Sequence, residues 1–429
     1  EPAALHARAA SWFASAGRPE EEIRHLLAGG AFAAAADRMS AAVEHAHELG
    51  HWQTIIRWVT ALPVAELERH PALVHRLGTA HSYCGDLAGA LERYDWAAGR
   101  FQAAGLDQDR AAVLVRRAVV YRLLGRTADA VADAREALAI AGDETGTTAG
   151  LAHRALGGVL AVQGRMEAAV DELGAALACY DAHGERAMAA NALNDLSAIC
   201  QWRGDVSAAI AHAREAHDRW QSIGNLAALA ISMNNLGTAY HLAGDTANAR
   251  PWLERAVETG RRSGYRRAAA LAHASLGDLL CDLDDFESGI AHYDQASHLA
   301  SAIPDAALGC YVLAARAEAR RLVGDLASAG HDLDRARSLL ALSPTAYEQA
   351  LVAYVSGTIA RDAGRTAEAV PALEQAAEAF AAMGARRDEA RSLIYGADAA
   401  RRAGSDGPAA RLQARAEAAI QDLSGRASM

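Results

Sequence analysis

The sequence predicts an all-α protein whose helices pair into hairpins that stack as a superhelical solenoid. Three observations carry this. Hydrophobic residues make up 52% of the 429-residue chain but aromatics only 5%, and alanine dominates, a composition suited to helices that pack through small side chains. Glycine recurs as a marker at Gly85, Gly125, Gly164, Gly204, Gly244, Gly324, Gly364 and Gly404, in steps of 40 with one of 39, and Asp284 fills the remaining slot. Around each of these nine markers, small residues stand at fixed offsets, which is the signature of a repeat architecture.

Taken from the N-terminus, residues 1–68 read as an irregular lead-in of shorter helical hairpins, because the turn glycines Gly17, Gly30 and Gly50 are spaced only 13 and 20 apart. The regular array occupies residues 69–429 as about nine hairpins of 40 residues. Each copy reads as a first helix, a tight turn at the marker, and a second helix. Seven residues before the markers stand Gly78, Ala118, Gly157, Ser197, Gly237, Gly277, Ala317, Gly357 and Ala397; twelve after them, every copy has alanine, from Ala97 to Ala416. Small residues at these places let two helix backbones approach closely. The breakers Gly184, Gly224, Gly264, Pro304, Pro344 and Gly384 then end the second helix and open the next copy. One hairpin cannot bury its own apolar face, so the copies must stack, with the first helices lining a concave side.

The run Met233-x-x-Leu236-Gly237-x-x-Tyr240, followed by Ala249-x-x-x-Leu253 and Ala256, resembles the tetratricopeptide repeat. That family's unit is usually ~34 residues, so these are long-helix versions. The first large aromatic of its pattern is mostly lost, and Asp284 in place of a turn glycine leaves that turn's geometry open. Within the first hundred residues, "LHARAASWFASAGRPEEEIRHLLAGGAFAAAADRM" leading into "IIRWVTALPVAELERHPAL" resembles the start of the sensor region of MalT-like, LuxR-type ATP-dependent bacterial transcription regulators. The resemblance implies a sensor of signals, with a P-loop ATPase upstream and a helix-turn-helix DNA-binding domain downstream, both outside this chain. The opening "EPAALHARAA" has the look of an internal segment, so a native start need not fall at Glu1.

Composition narrows the chemistry. All 42 basic residues are arginine, so neither a P-loop lysine nor a Schiff-base lysine exists here. A formal charge of −11 argues against wrapping nucleic acid. The five cysteines are dispersed, without C-x-x-C spacing, and fit small core residues in a reducing cytoplasm. No apolar run of eighteen residues suggests a membrane span. No Gly-x-Ser-x-Gly elbow or phosphate loop is present, so no catalytic residue and no cofactor are expected.

One motif points the other way. His47-Glu48-Leu49-Gly50-His51 spells H-E-x-x-H, by which a helix holds zinc with two imidazoles and uses the glutamate as general base. Against it stands Gly50, which divides the stripe Met39, Val43, Ala46, Leu49 from the stripe Trp52, Ile55, Ile56, Val59, Leu62 and would part the histidines. A third ligand is also not evident, and no metal is expected.

The concave wall is built by first-helix positions thirteen, ten, six and three residues before each marker. The middle copies place Arg154, Asn191, Asn194, Gln201, Asn234, Thr238, His241 and Asp278 there, the candidate set for a ligand or partner. Asn194 and Asn234 share one slot; amides both donate and accept, which suits a peptide backbone or a polar small molecule, and equally suits a bond to the neighbouring helix. Later copies add Tyr311, Glu318, Arg321, Tyr354, Thr358, Arg361, Asp398 and Arg401, a more charged end. The expected function is therefore recognition of a small-molecule inducer or a regulatory protein; a free-standing adaptor for peptide segments of partner proteins is the alternative.

Overall fold

The computed structural model describes residues 2–48, 51–142, 146–303, 305–342 and 345–427. Among these, every regular element is a helix: α1 (Pro2–Ser15), α2 (Pro19–Ala28), α3 (Phe32–Glu48), α4 (Trp52–Thr60), α5 (Val64–Arg69), α6 (Pro71–Tyr83), α7 (Leu87–Ala104), α8 (Asp107–Leu123), α9 (Thr127–Ala141), α10 (Thr147–Val162), α11 (Met166–Ala182), α12 (Arg186–Trp202), α13 (Val206–Ile223), α14 (Leu226–Leu242), α15 (Thr246–Ser263), α16 (Arg266–Asp282), α17 (Phe286–Ala300), α18 (Ala306–Leu322), α19 (Leu326–Leu340), α20 (Ala346–Asp362), α21 (Thr366–Ala382), α22 (Arg386–Arg402) and α23 (Asp406–Ala427). None of the described helices is long and apolar enough to cross a membrane.

From α6 onward the helices alternate as first and second members of the 40-residue unit. All eight marker glycines take left-handed backbone, with φ between 69° and 86°. Asp284 joins them at φ 62°, so the copy that lacks glycine keeps the same turn; aspartate tolerates this region better than most side chains. Where aspartate follows the marker it caps the second helix: Asp86, Asp205, Asp245, Asp285 and Asp325 each accept from the backbone N–H three residues on. Of the breakers between copies, Gly184, Gly224, Gly264 and Gly384 also have positive φ. The turns expected at Pro304, Pro344 and Gly50 lie outside the described residues.

The small residues sit where the helices cross. A Cβ at Gly237 would lie 2.6 Å from Leu253 Cγ, and one at Gly357 would lie 2.5 Å from Leu373 Cγ; Gly78 and Gly277 meet the rings of Tyr94 and Tyr293 in the same way. The alanines twelve residues past the markers are all completely buried, at 0% exposure from Ala97 to Ala416.

The described packing divides into two compact units, Glu1–Ala155 and Leu156–Met429. In the first, the lead-in helices α3, α4 and α5 pack on α6, around Ile23, Met39, Ile55, Trp58, Leu73 and Leu77. His47 lies in the last turn of α3 and His51 is the residue before α4, so the two histidines of the H-E-x-x-H motif do not share one helix. The His47 ring instead packs edge-on against Trp52, with centroids 5.1 Å apart. Among the described residues, no group of three or more His, Cys, Asp or Glu side chains could hold a metal ion. In the second unit each first helix packs on its own second helix and also on the next first helix, so α12, α14, α16, α18, α20 and α22 form one continuous inner layer.

His75, on α6, gives the first unit an acid-sensitive point. Burial, with the charges of Arg76 and Arg116, pushes its imidazole down from 6.5 to about 3. The folded protein therefore holds it neutral where the unfolded chain takes up a proton, and stability is lost as pH falls from about 6.5 toward 3. Urea midpoints at pH 7 and pH 5 are expected to drop less in His75→Gln than in the parent chain; an equal drop would place the acid sensitivity elsewhere.

Candidate ligand-binding cavity

The inner layer of the second unit lines an open cavity of about 880 Å³. Its lining runs diagonally across the helices. It uses the C-terminal ends of α12, α14 and α16, the length of α18, and the N-terminal halves of α20 and α22. The volume falls in the usual range for ligand pockets, roughly 300–1,000 Å³.

Three polar groupings shape it. Asp278 accepts from the hydroxyl of Tyr293 at 2.6 Å and from that of Tyr311 at 2.5 Å. Burial pushes its carboxyl above the ordinary carboxylate range, against the opposing pull of the two hydroxyls. Glu318 accepts from Arg321 through two bonds of 2.8 Å, from Tyr354 at 2.8 Å and from Thr358 at 2.9 Å. Burial works to raise it, but these partners, chiefly Arg321, hold it below its usual value. Third, Asp282 receives His241 at 3.0 Å and, across 105 residues of sequence, Arg387 of α22 at 2.6 Å. Burial opposes ionisation there, yet His241 and the charge of Arg387 bring its carboxyl down to about 2. The Asp282 to Arg387 bond ties α16 to α22 past the two first helices that separate them in the layer.

Aromatic rings complete the wall. Tyr311 and Tyr347 have centroids 6.5 Å apart, Tyr347 meets Phe380 at 5.6 Å, and Tyr354 meets Tyr395 at 5.9 Å. Arg391 donates to the Tyr354 hydroxyl at 3.1 Å, and Tyr347 donates to Asp388 at 3.4 Å.

Of the candidates read from the sequence, the structure brings Gln201, Thr238, His241 and Asp278 together on this cavity. Asn194 and Asn234 lie off the lining, each only 7% exposed. Asn235 reaches back to the carbonyl and side-chain oxygen of Asn194 at 3.4 Å, linking two first helices, and Gln201 donates to the Asn235 carbonyl at 3.1 Å. Asn191 is half-buried and off the lining; Arg154 belongs to the first unit. From the later copies Tyr311, Glu318 and Tyr354 line the cavity; Arg321 and Thr358 are off the lining and bond to Glu318, and Arg361 is off it as well. Sequence reasoning missed Tyr293, Tyr347, Asp388, Arg391 and Tyr395. Tyr347 and Asp388 sit 17 and 16 residues before their markers, one turn upstream of the outermost slot, and extending the slots by a turn would have found them.

Residues 188–262, spanning α12 to α15, match the tetratricopeptide repeat family. No curated protein sequence matches the chain. Among solved structures, a Rap protein complexed with competence and sporulation factor superposes with a TM-score of 0.64 at 12% identity, covering 84% of this chain and 99% of that one. The apo form of RapI gives a TM-score of 0.49 at 12% identity, over 63% of this chain and 98% of its own. BtubC from P. vanneervenii gives 0.41 at 20% identity, over 55% and 92%. The likeness to the Rap complex is one of fold: a helical-repeat scaffold of tetratricopeptide type.

Proposed function

We propose that this chain is the sensing domain of a signal-responsive transcription regulator and that its second unit takes a small-molecule inducer or a segment of a regulatory protein in the concave cavity. The observation that carries the reading is the cavity itself, where polar and aromatic groups from six first helices converge. The Rap protein of similar fold is seen with a bound factor, which supports recognition by analogy of fold alone. The regulator context rests on the MalT-like phrases of the first hundred residues. The reading is recognition without catalysis.

Repeat arrays couple each unit to its neighbours, so small shifts at successive interfaces add along the array. A ligand touching both α16 and α22 competes with or reinforces the Asp282 to Arg387 bond and thereby biases how tightly the inner layer curls. Hydrogen exchange in the presence of candidate inducers and partner proteins tests this. Protection is expected to concentrate on α14, α16, α18, α20 and α22; protection confined to the second helices α15, α17 and α19 would defeat it.

A further inference from the structure

We infer that the cavity recognises a cationic group, an ammonium or guanidinium, which seats between Asp278 and Asp388 against the rings of Tyr311 and Tyr347. This rests on the reading of the cavity as a recognition site and adds the charge of what it binds. The carboxylates of the wall are unequally paired. Asp282 and Glu318 are matched by Arg387 with His241, and by Arg321. Asp278 and Asp388 are not: among the described residues the hydrogen-bond partners of their carboxylates are tyrosine hydroxyls, and the charges of His241 on the one and of Arg391 and Arg387 on the other act from beyond ion-pair distance. Against these two carboxylates stands one cation without an ion pair, Arg391, whose guanidinium donates to Tyr354 and lies 4.9 Å from that ring's centroid. Asp278 and Asp388 are thus the two carboxylates of the lining with no cation in contact.

The two carboxylates are joined through the aromatic pair. Tyr311 gives its hydroxyl to Asp278, Tyr347 gives its hydroxyl to Asp388, and the two rings are neighbours. A carboxylate removed from water is costly unless a cation or several donors compensate it. Tyrosine faces attract cations, and a desolvated cation placed there gains from both ring and carboxylate. An arginine or lysine side chain, a free peptide N-terminus and an amine inducer all satisfy this chemistry, whereas an anionic ligand would be repelled.

The test uses four pools of hexapeptides, bearing one arginine, one lysine, one glutamate or no charged side chain, each with free and with acetylated N-termini, together with agmatine as a small cation. Binding to the whole chain is measured by calorimetry. The cationic pools or agmatine are expected to bind, and the acetylated uncharged pool and the acetylated glutamate pool not to. Asp278→Asn and Asp388→Asn should each weaken the cation at least about tenfold, and Tyr347→Leu should weaken it where Tyr347→Phe does not. Loss with acetylation of the uncharged pool alone would identify the peptide terminus as the source; binding of agmatine would identify a small amine. Equal binding of the acetylated glutamate pool or the acetylated uncharged pool would leave a recognition cavity standing while overturning the cation. So would unchanged cation affinity in an Asp278→Asn protein that melts like the parent chain, and so would failure of every pool and of agmatine while hydrogen exchange still reports a ligand on α14 to α22.

Discussion

Gly237→Ala is expected to destabilise the protein by about 1–3 kcal/mol, and Gly237→Leu by more, read as a shift in the urea midpoint. The added Cβ would meet Leu253 Cγ at 2.6 Å, Cδ2 at 2.7 Å and the backbone nitrogen at 3.2 Å, and Leu253 is itself 0% exposed, so the leucine has nowhere to retreat. Alanine is a better helix former than glycine. The expected sign thus sets a steric cost against a propensity gain of about 1 kcal/mol. The decisive measurement is the double variant. Leu253→Ala alone should cost about 2–5 kcal/mol through the cavity it leaves. If close approach is the reason for the glycine, adding Gly237→Ala to Leu253→Ala should cost nothing further or restore stability. Additive losses would show that the two residues do not share the crossing.

The same pair shows what the sequence makes legible. The period, the hairpins and their stacking could be read because a left-handed turn and a close helix crossing each demand a particular small residue at a particular place, whatever lies around them. The rule that sets the size of that residue could not. Glycine faces a leucine or tyrosine at Gly78, Gly157, Gly237, Gly277 and Gly357, nine residues past the marker in each case. Where the small residue is Ala118 or Ser197, the position nine past the marker is Ala134 or Ala213, whereas Ala317 and Ala397 go with Leu333 and Gln413 and depart from the rule. That correspondence emerges only once the register between the two helices is known. The cavity divides similarly. Fixed slots located Gln201, Thr238, His241 and Asp278, but fixed slots assume that every first helix presents the same turn inward. The lining instead moves from the C-terminal ends of α12 to α16 to the N-terminal halves of α20 and α22. Tyr347 and Asp388 therefore enter the wall one turn earlier than the slots allow, and Arg387 meets Asp282 across a span no local pattern encodes. The paired asparagines show the reverse case: a repeated polar residue on a first helix marked contact between neighbouring helices as much as the groove.

Asp332→Ala is expected to cost about 3–5 kcal/mol, since it strips the counter-charge from a buried ion pair. Asp332 is 0% exposed and Arg316 only 7%. Arg316 donates Nε and Nη2 to the two carboxylate oxygens at 2.8 and 2.6 Å and Nη1 to Asp294 at 2.7 Å, while Arg320 donates to Asp332 at 2.7 Å. Without Asp332, two guanidinium groups remain with Asp294 as the carboxylate in reach, and its side chain is 48% exposed. The first unit carries the same device at the same spacing, with Arg117 bonded to Asp133 and Asp95. Its arginine side chain is 18% exposed, against 8% for Arg316, so water relieves part of the stranded charge and Asp133→Ala should cost less. The pair's worth against no charge at all is a separate quantity. Arg316→Met combined with Asp332→Leu removes both desolvation penalties along with the attraction and frees Asp294 to pair with Arg320, and is expected to lie close to the parent chain, well above Asp332→Ala. Should the double variant fall as far as the single one, the ion pair itself, and not the stranded arginine, would account for the loss.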